Sequence, residues 1–67
     1  MNECKHLKGR MLIEGDTQKT LADYLGISES NFNSKVNGKN EFTRNEMRAI
    51  IERYNLTDSD IRLYFFS

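Results

Sequence analysis

Residues 17–38 constrain the fold of this chain more than any other stretch. Thr17 is a good N-cap residue, and Leu21, Ala22 and Leu25 then recur on one helical face. Gly26 follows at once, supplying the positive φ that a sharp turn between two helices requires. Ser28 is a second N-cap. The helix after it carries only two apolar anchors, Phe32 and Val36, four residues apart and therefore on one side. The rest of that helix is short and polar, and Asn37-Gly38 stops it. The pattern predicts two short helices of fixed length joined by a tight turn, the small Ala22 allowing close approach.

The remaining residues supply the helices that such a pair must lean on. Leu7 and Met11, with Cys4 or Leu12, recur at helical spacing, so residues 3–14 are expected to form a first helix ended by Gly15. Residues 38–42 form a loop. Thr43 and Glu46 make a capping-box pattern, followed by Met47, Ile50, Ile51 and Tyr54 at i, i+3, i+4 and i+7. Asn55 ends that helix. Thr57 and Asp60 resemble another cap, with Ile61, Tyr64 and Phe65 facing inward behind it. Nothing alternates with period two for long enough to form a strand. The expected fold is all-α, a compact bundle of about five short helices with a central helix-turn-helix. With 67 residues it is a single domain over 1–67, whose modest core implies stability on the order of a few kcal/mol.

Several function classes are excluded by what the sequence lacks. No run approaches the roughly 20 apolar residues of a membrane helix, and the first residues do not read as a signal peptide. A cytoplasmic location is therefore expected. Cys4 and His6, two apart, have no second pair to complete a tetrahedral metal site. They read as a half-buried thiol and an exposed imidazole, and no metal or cofactor is expected. No nucleophile–base pair, carboxylate pair or phosphate-cradling glycine loop exists, so an enzyme is not expected. The formal net charge is zero, which counts against strong non-specific binding to nucleic acid. Lys35, Lys39, Arg44, Arg48 and Arg53 against Glu41, Glu46 and Glu52 make residues 35–53 mildly basic. Asp58 and Asp60 against Arg62 make the tail mildly acidic.

The second helix of the pair points Ser28, Glu29, Ser30, Asn33 and Ser34 away from its anchors. Short hydroxyls and amides both donate and accept, which suits them to base edges. Gln18, at the start of the preceding helix, is placed to meet a phosphate. Asn37, Lys39 and Asn40 follow the second helix and are placed to grip the backbone on its other side. Thr17-Gln18, Leu21-Ala22, Leu25-Gly26-Ile27-Ser28, Phe32 and Asn37-Gly38-Lys39 together resemble the lambda-repressor-like, or XRE/Cro-type, helix-turn-helix family. The core of the resemblance spans residues 17–39. It implies base contacts from Ser28, Glu29, Ser30, Asn33 and Ser34, and phosphate contacts from Gln18, Asn37 and Lys39. The chain departs from the family pattern in three places. Asp16 stands where an apolar residue is common, so that turn is expected to be exposed. Val36 lies four residues after Phe32 rather than three. Met11 and Val36 occupy positions that hold an Arg–Glu pair in some relatives, so an apolar contact is expected there.

The resemblance implies a small phage or prophage regulator that represses by occupying double-stranded operator DNA. The dense apolar end, including Tyr64, Phe65 and Phe66, suggests a homodimer on a palindromic site. The rival expectation is a helix-turn-helix module that binds another protein, as an antirepressor or inhibitor does. Glu29 suits either role, since a carboxylate at a helix start also stabilises the macrodipole. Phe32 and Tyr24 are expected in the core, and Arg44 and Arg48 on a solvated face or at a phosphate.

Overall fold

A hydroxyl side chain starts four of the five helices. Thr17, Ser28, Thr43 and Thr57 each accept a hydrogen bond from the backbone N–H three residues on, satisfying a donor the helix itself cannot. The computed structural model describes residues 3–66, which form α1 (Lys5–Glu14), α2 (Gln18–Leu25), α3 (Glu29–Val36), α4 (Arg44–Tyr54) and α5 (Asp58–Phe65). Thr43 and Thr57 complete reciprocal capping boxes with Glu46 and Asp60. No strand occurs among the described residues. The first helix begins at Lys5 rather than residue 3, and Cys4, at its N-cap, makes no side-chain cap.

The turn between α2 and α3 is made by Gly26 at φ 77°, which closes α2 while Ile27 N–H returns to the Ala22 carbonyl at 3.0 Å. Ser28 then resets the backbone to an extended conformation and opens α3. These two helices pack most closely of any pair, and α1 lies across α3 and α5. The core holds Leu7, Met11, Leu21, Ala22, Phe32, Val36, Phe42, Ile50, Tyr54, Leu56 and Tyr64. Phe42, from the loop after α3, links Phe32 to Phe65 through two edge-on ring contacts at 5.8 Å. Met11 and Val36 lie in this one apolar cluster, as expected of a site without an ion pair.

Three expectations are corrected. Asp16 is not exposed: its side chain retains only 8% accessibility. Tyr24 is not a core residue but 46% exposed, its ring lying under the Arg53 guanidinium at 4.6 Å. Leu12 does not join the core; it and Ile13 stand 82% and 81% exposed. At the C-terminal end Tyr64 is buried and Phe65 packs on the core, as expected, while Leu63 and Phe66 stand 45% and 67% exposed.

Candidate functional site

α3 has two chemically distinct sides. Phe32, Lys35 and Val36 are buried. Glu29, Ser30, Asn31 and Asn33 are exposed and Ser34 is half-buried, so the sequence-selected residues do share the outward side of one helix. Ser28 sits at the N-cap, where its oxygen is already occupied by Asn31 N–H at 3.0 Å. Its hydroxyl hydrogen remains a donor. Glu29 occupies the first turn, favourable for the helix macrodipole.

The amides around α3 are joined in a chain. Asn33 Nδ2 donates to Gln18 Oε1 at 3.0 Å, and Asn37 Nδ2 donates to Asn33 Oδ1 at 3.1 Å. Lys8 Nζ donates to Asn37 Oδ1 at 2.7 Å and to Glu3 Oε2 at 3.2 Å. One connected run thus ties α1, the start of α2 and the end of α3. It restricts the rotamers of Gln18, Asn33 and Asn37, while each amide nitrogen keeps an unused hydrogen. Lys39 and Asn40 form the far end of the surface. Their side chains are exposed, and their backbone N–H groups both return to the Ser34 carbonyl, at 2.9 and 3.3 Å.

The mild positive bias expected over residues 35–53 reaches the surface only in part. Lys35 is buried, its Nζ 2.5 Å from Glu46 Oε1. Burial alone would raise the Glu46 carboxyl, but hydrogen bonds from Lys35 and the Thr43 backbone hold it below the usual range. Arg53 is also spent internally. Its Nε and Nη2 grip Asp16 Oδ2 and Oδ1 at 3.0 and 2.8 Å, while Tyr54 Oη donates to Oδ2 at 2.5 Å. The Arg53 bonds, then that of Tyr54, lower the Asp16 carboxyl; burial, then Asp16, raises the Tyr54 hydroxyl. This clamp fixes the turn before Gln18 onto α4. Lys39, Arg44 and Arg48 make no ion pair among the described residues, so they remain available to an outside anion. Sequence reading missed Lys8, whose only signal was its place on the side of α1 flanking Leu7 and Met11.

A groove of about 230 Å³ borders the amide run, lined by Lys8, Met11, Leu12, Asp16, Gln18 and Val36. A second cavity of about 290 Å³ lies between Cys4, Lys35, Phe42, Met47 and the Phe65-Phe66 end. Partial burial pushes the Cys4 thiol up, against the opposing pull of nearby Lys8. Among the described residues no three of Cys, His, Asp or Glu come together as a metal site, and no helix is long and apolar enough to cross a membrane.

A protein-family model matches residues 2–67, almost the whole chain. The chain belongs to the DUF739 family. That family is described as one of unknown function, so membership of DUF739 assigns no residue a role. Neither the curated proteins nor the solved structures contain a significant match to this DUF739 chain.

Proposed function

We propose that this chain is a sequence-specific DNA-binding regulator, similar in design to the lambda-repressor-like helix-turn-helix proteins, with α3 entering the major groove. The observation that carries the reading is the two-sided character of α3. Apolar anchors and an internally neutralised lysine hold one side, and the other presents short hydroxyls and amides pre-oriented by the Gln18–Asn33–Asn37–Lys8 run. Nothing in the packing requires a small polar group at the exposed Ser30, and short hydroxyls and amides are suited to base edges. In this reading Ser28, Glu29, Ser30, Asn33 and Ser34 face base edges. Gln18, Asn37, Lys39 and Asn40 hold phosphates, with Lys8 adding a charge beside Asn37. Regulation follows from occupancy of a palindromic operator by a homodimer, with no chemistry and no cofactor.

The test is binding to random duplex across about 50 to 200 mM salt, followed by selection of bound sites. Affinity is expected to fall steeply with salt. Lys8→Ala and Lys39→Ala are each expected to reduce the salt slope by about one. Asn33→Ala with Ser34→Ala is expected to abolish sequence preference, with the melting curve lowered slightly by loss of the Gln18–Asn33–Asn37 bonds. No detectable binding at low salt sinks the reading.

A second reading, a module that docks on another protein, is favoured by one observation. Lys35 and Arg53 are consumed internally while Glu29 stays exposed at the start of α3. A surface so poor in positive charge suits a basic protein partner. Random duplex failing to bind, with capture of such a partner abolished by Glu29→Lys, is the outcome this reading expects.

A further inference from the structure

The amide run beside α3 has a direction that the amides themselves do not set. Asn33 Nδ2 donates to Gln18 Oε1 and Asn37 Nδ2 donates to Asn33 Oδ1, so both bonds point from α3 towards the start of α2. An amide carries its donor and its acceptor on opposite arms of one plane. Turning all three planes over would make two bonds of the same kind in the other direction, from Gln18 to Asn33 and from Asn33 to Asn37. Three amides alone thus have two arrangements of nearly equal energy.

The choice between them falls to Lys8. Its ammonium has three hydrogens and no acceptor, so it faces the oxygen of Asn37, at 2.7 Å, and never the nitrogen. That bond is charge-assisted, hence stronger than the amide bonds that follow it. With its oxygen held by Lys8, Asn37 turns its nitrogen to Asn33. Asn33, its oxygen taken by Asn37, turns its nitrogen to Gln18. Lys8 and Gln18 line one groove with Asp16, whose carboxylate is committed to Arg53 and Tyr54. Lys8 is therefore the charge of that groove left to orient the run. At the far end Gln18 faces the run with its oxygen. Its Nε2 makes no hydrogen bond among the described residues, and it is open to solvent, since no buried side-chain nitrogen or oxygen among them lacks a partner.

We infer that Lys8 is a positioning residue that sets the hydrogen-bond polarity of the run and thereby fixes Gln18 as a pure donor at its outer end, suited to an anionic oxygen. Lys8 acts on Gln18 through Asn37 and Asn33, which is separate from the charge it adds beside Asn37. Assigning Gln18 to a phosphate oxygen of duplex DNA rests on the operator reading; the polarity of the run does not.

Side-chain amide NMR of the full chain without DNA tests the polarity. In wild type the Asn33 and Asn37 amides are expected to show slowed exchange and one downfield proton each, and the Gln18 amide neither. Lys8→Glu puts an acceptor where the donor was and is expected to reverse the run, so that the Gln18 amide gains both signs while helical circular dichroism is unchanged. Lys8→Met is expected to populate both directions and give Gln18 an intermediate shift. Lys8→Arg keeps the donors and is expected to keep the wild-type pattern. A merely structural role for Lys8 would loosen the run and give Gln18 no new bond, so the gain at Gln18 is the distinguishing sign. A Gln18 amide already bonded in wild type, or unmoved by Lys8→Glu, overturns the inference. On duplex DNA, Gln18→Ala is expected to cost about tenfold less affinity in the Lys8→Glu chain than in wild type. Equal costs overturn the assignment of Gln18 to an anion. Reversal in the free chain with no duplex binding by wild type would remove the operator reading and leave the positioning role of Lys8 standing.

Discussion

Helices α1 and α4 have nearly equal length and opposite construction. In α4 most local rules agree: a full capping box, acid in the first turn, base in the last, and an apolar stripe that packs inward. In α1 there is no side-chain cap, the terminal charges are reversed, glycine sits in the middle and aliphatics point out. What holds α1 is tertiary. Cys4 N–H bonds the Val36 carbonyl at 2.9 Å, Arg10 Nη2 bonds the Tyr54 carbonyl at 2.9 Å, and Leu7 and Met11 are buried. The comparison teaches that a helix can be fixed from outside itself.

Core truncation gives the largest expected effect and the first way to break this contrast. Leu7→Ala and Ile50→Ala are each expected to cost about 2–5 kcal/mol in chemical denaturation, since both side chains are fully buried. A much smaller loss at Leu7 would mean that α1 docks loosely. Asp16→Asn comes next, at about 2 kcal/mol, because it removes the anion that Arg53 and Tyr54 share; the partial exposure of Arg53 keeps the value at that level. Its pH dependence has a definite sign. The Asp16 carboxyl is lowered by folding, so its contribution is present above the unfolded value near ~3.9 and lost as pH falls below it. Stability measured from about pH 4 downward is therefore expected to fall less in Asp16→Asn than in wild type.

Smaller changes sharpen the contrast. Thr43→Ala is expected to cost about 1 kcal/mol at the start of α4. Smaller still, Gly9→Ala is expected to stabilise the chain by about 0.5–1 kcal/mol, while Ala49→Gly in α4 destabilises by a similar amount. Thermal melts read both. If Gly9→Ala destabilises instead, glycine has an intrachain role.

Much of the fold was legible because its signals are local. Thr17, Ser28, Thr43 and Thr57 announce helix starts, and Gly15, Gly26 and Asn55 announce ends through left-handed backbone. The outward residues of α3 were legible for the same reason, since Phe32 and Val36 fix its rotation. Lys35 and Asp16 were misjudged because their partners, Glu46 and Arg53, lie eleven and thirty-seven residues away. A charged residue reads as solvated until its counter-ion is placed beside it. In α1 the failure had another cause. Met11, Leu12 and Ile13 are consecutive, so periodicity alone does not say which of them turns inward. The amide run from Gln18 to Lys8 was illegible as a unit, because it depends on the crossing of three helices.

Glu46 Oε1 accepts from two donors at once, Lys35 Nζ at the end of α3 and Thr43 N–H at the start of α4. The loop between those helices is thereby closed into a ring by a non-covalent cross-link. Its chain entropy is spent before any ligand arrives, so ordering it adds little to the cost of binding. The same oxygen makes the beginning of α4 a remote gauge of α3. Any load that draws Lys35 away from Glu46 frees that carboxylate to swing, and quickened hydrogen exchange of the Thr43 amide would report it without a probe ever touching the outward side of α3.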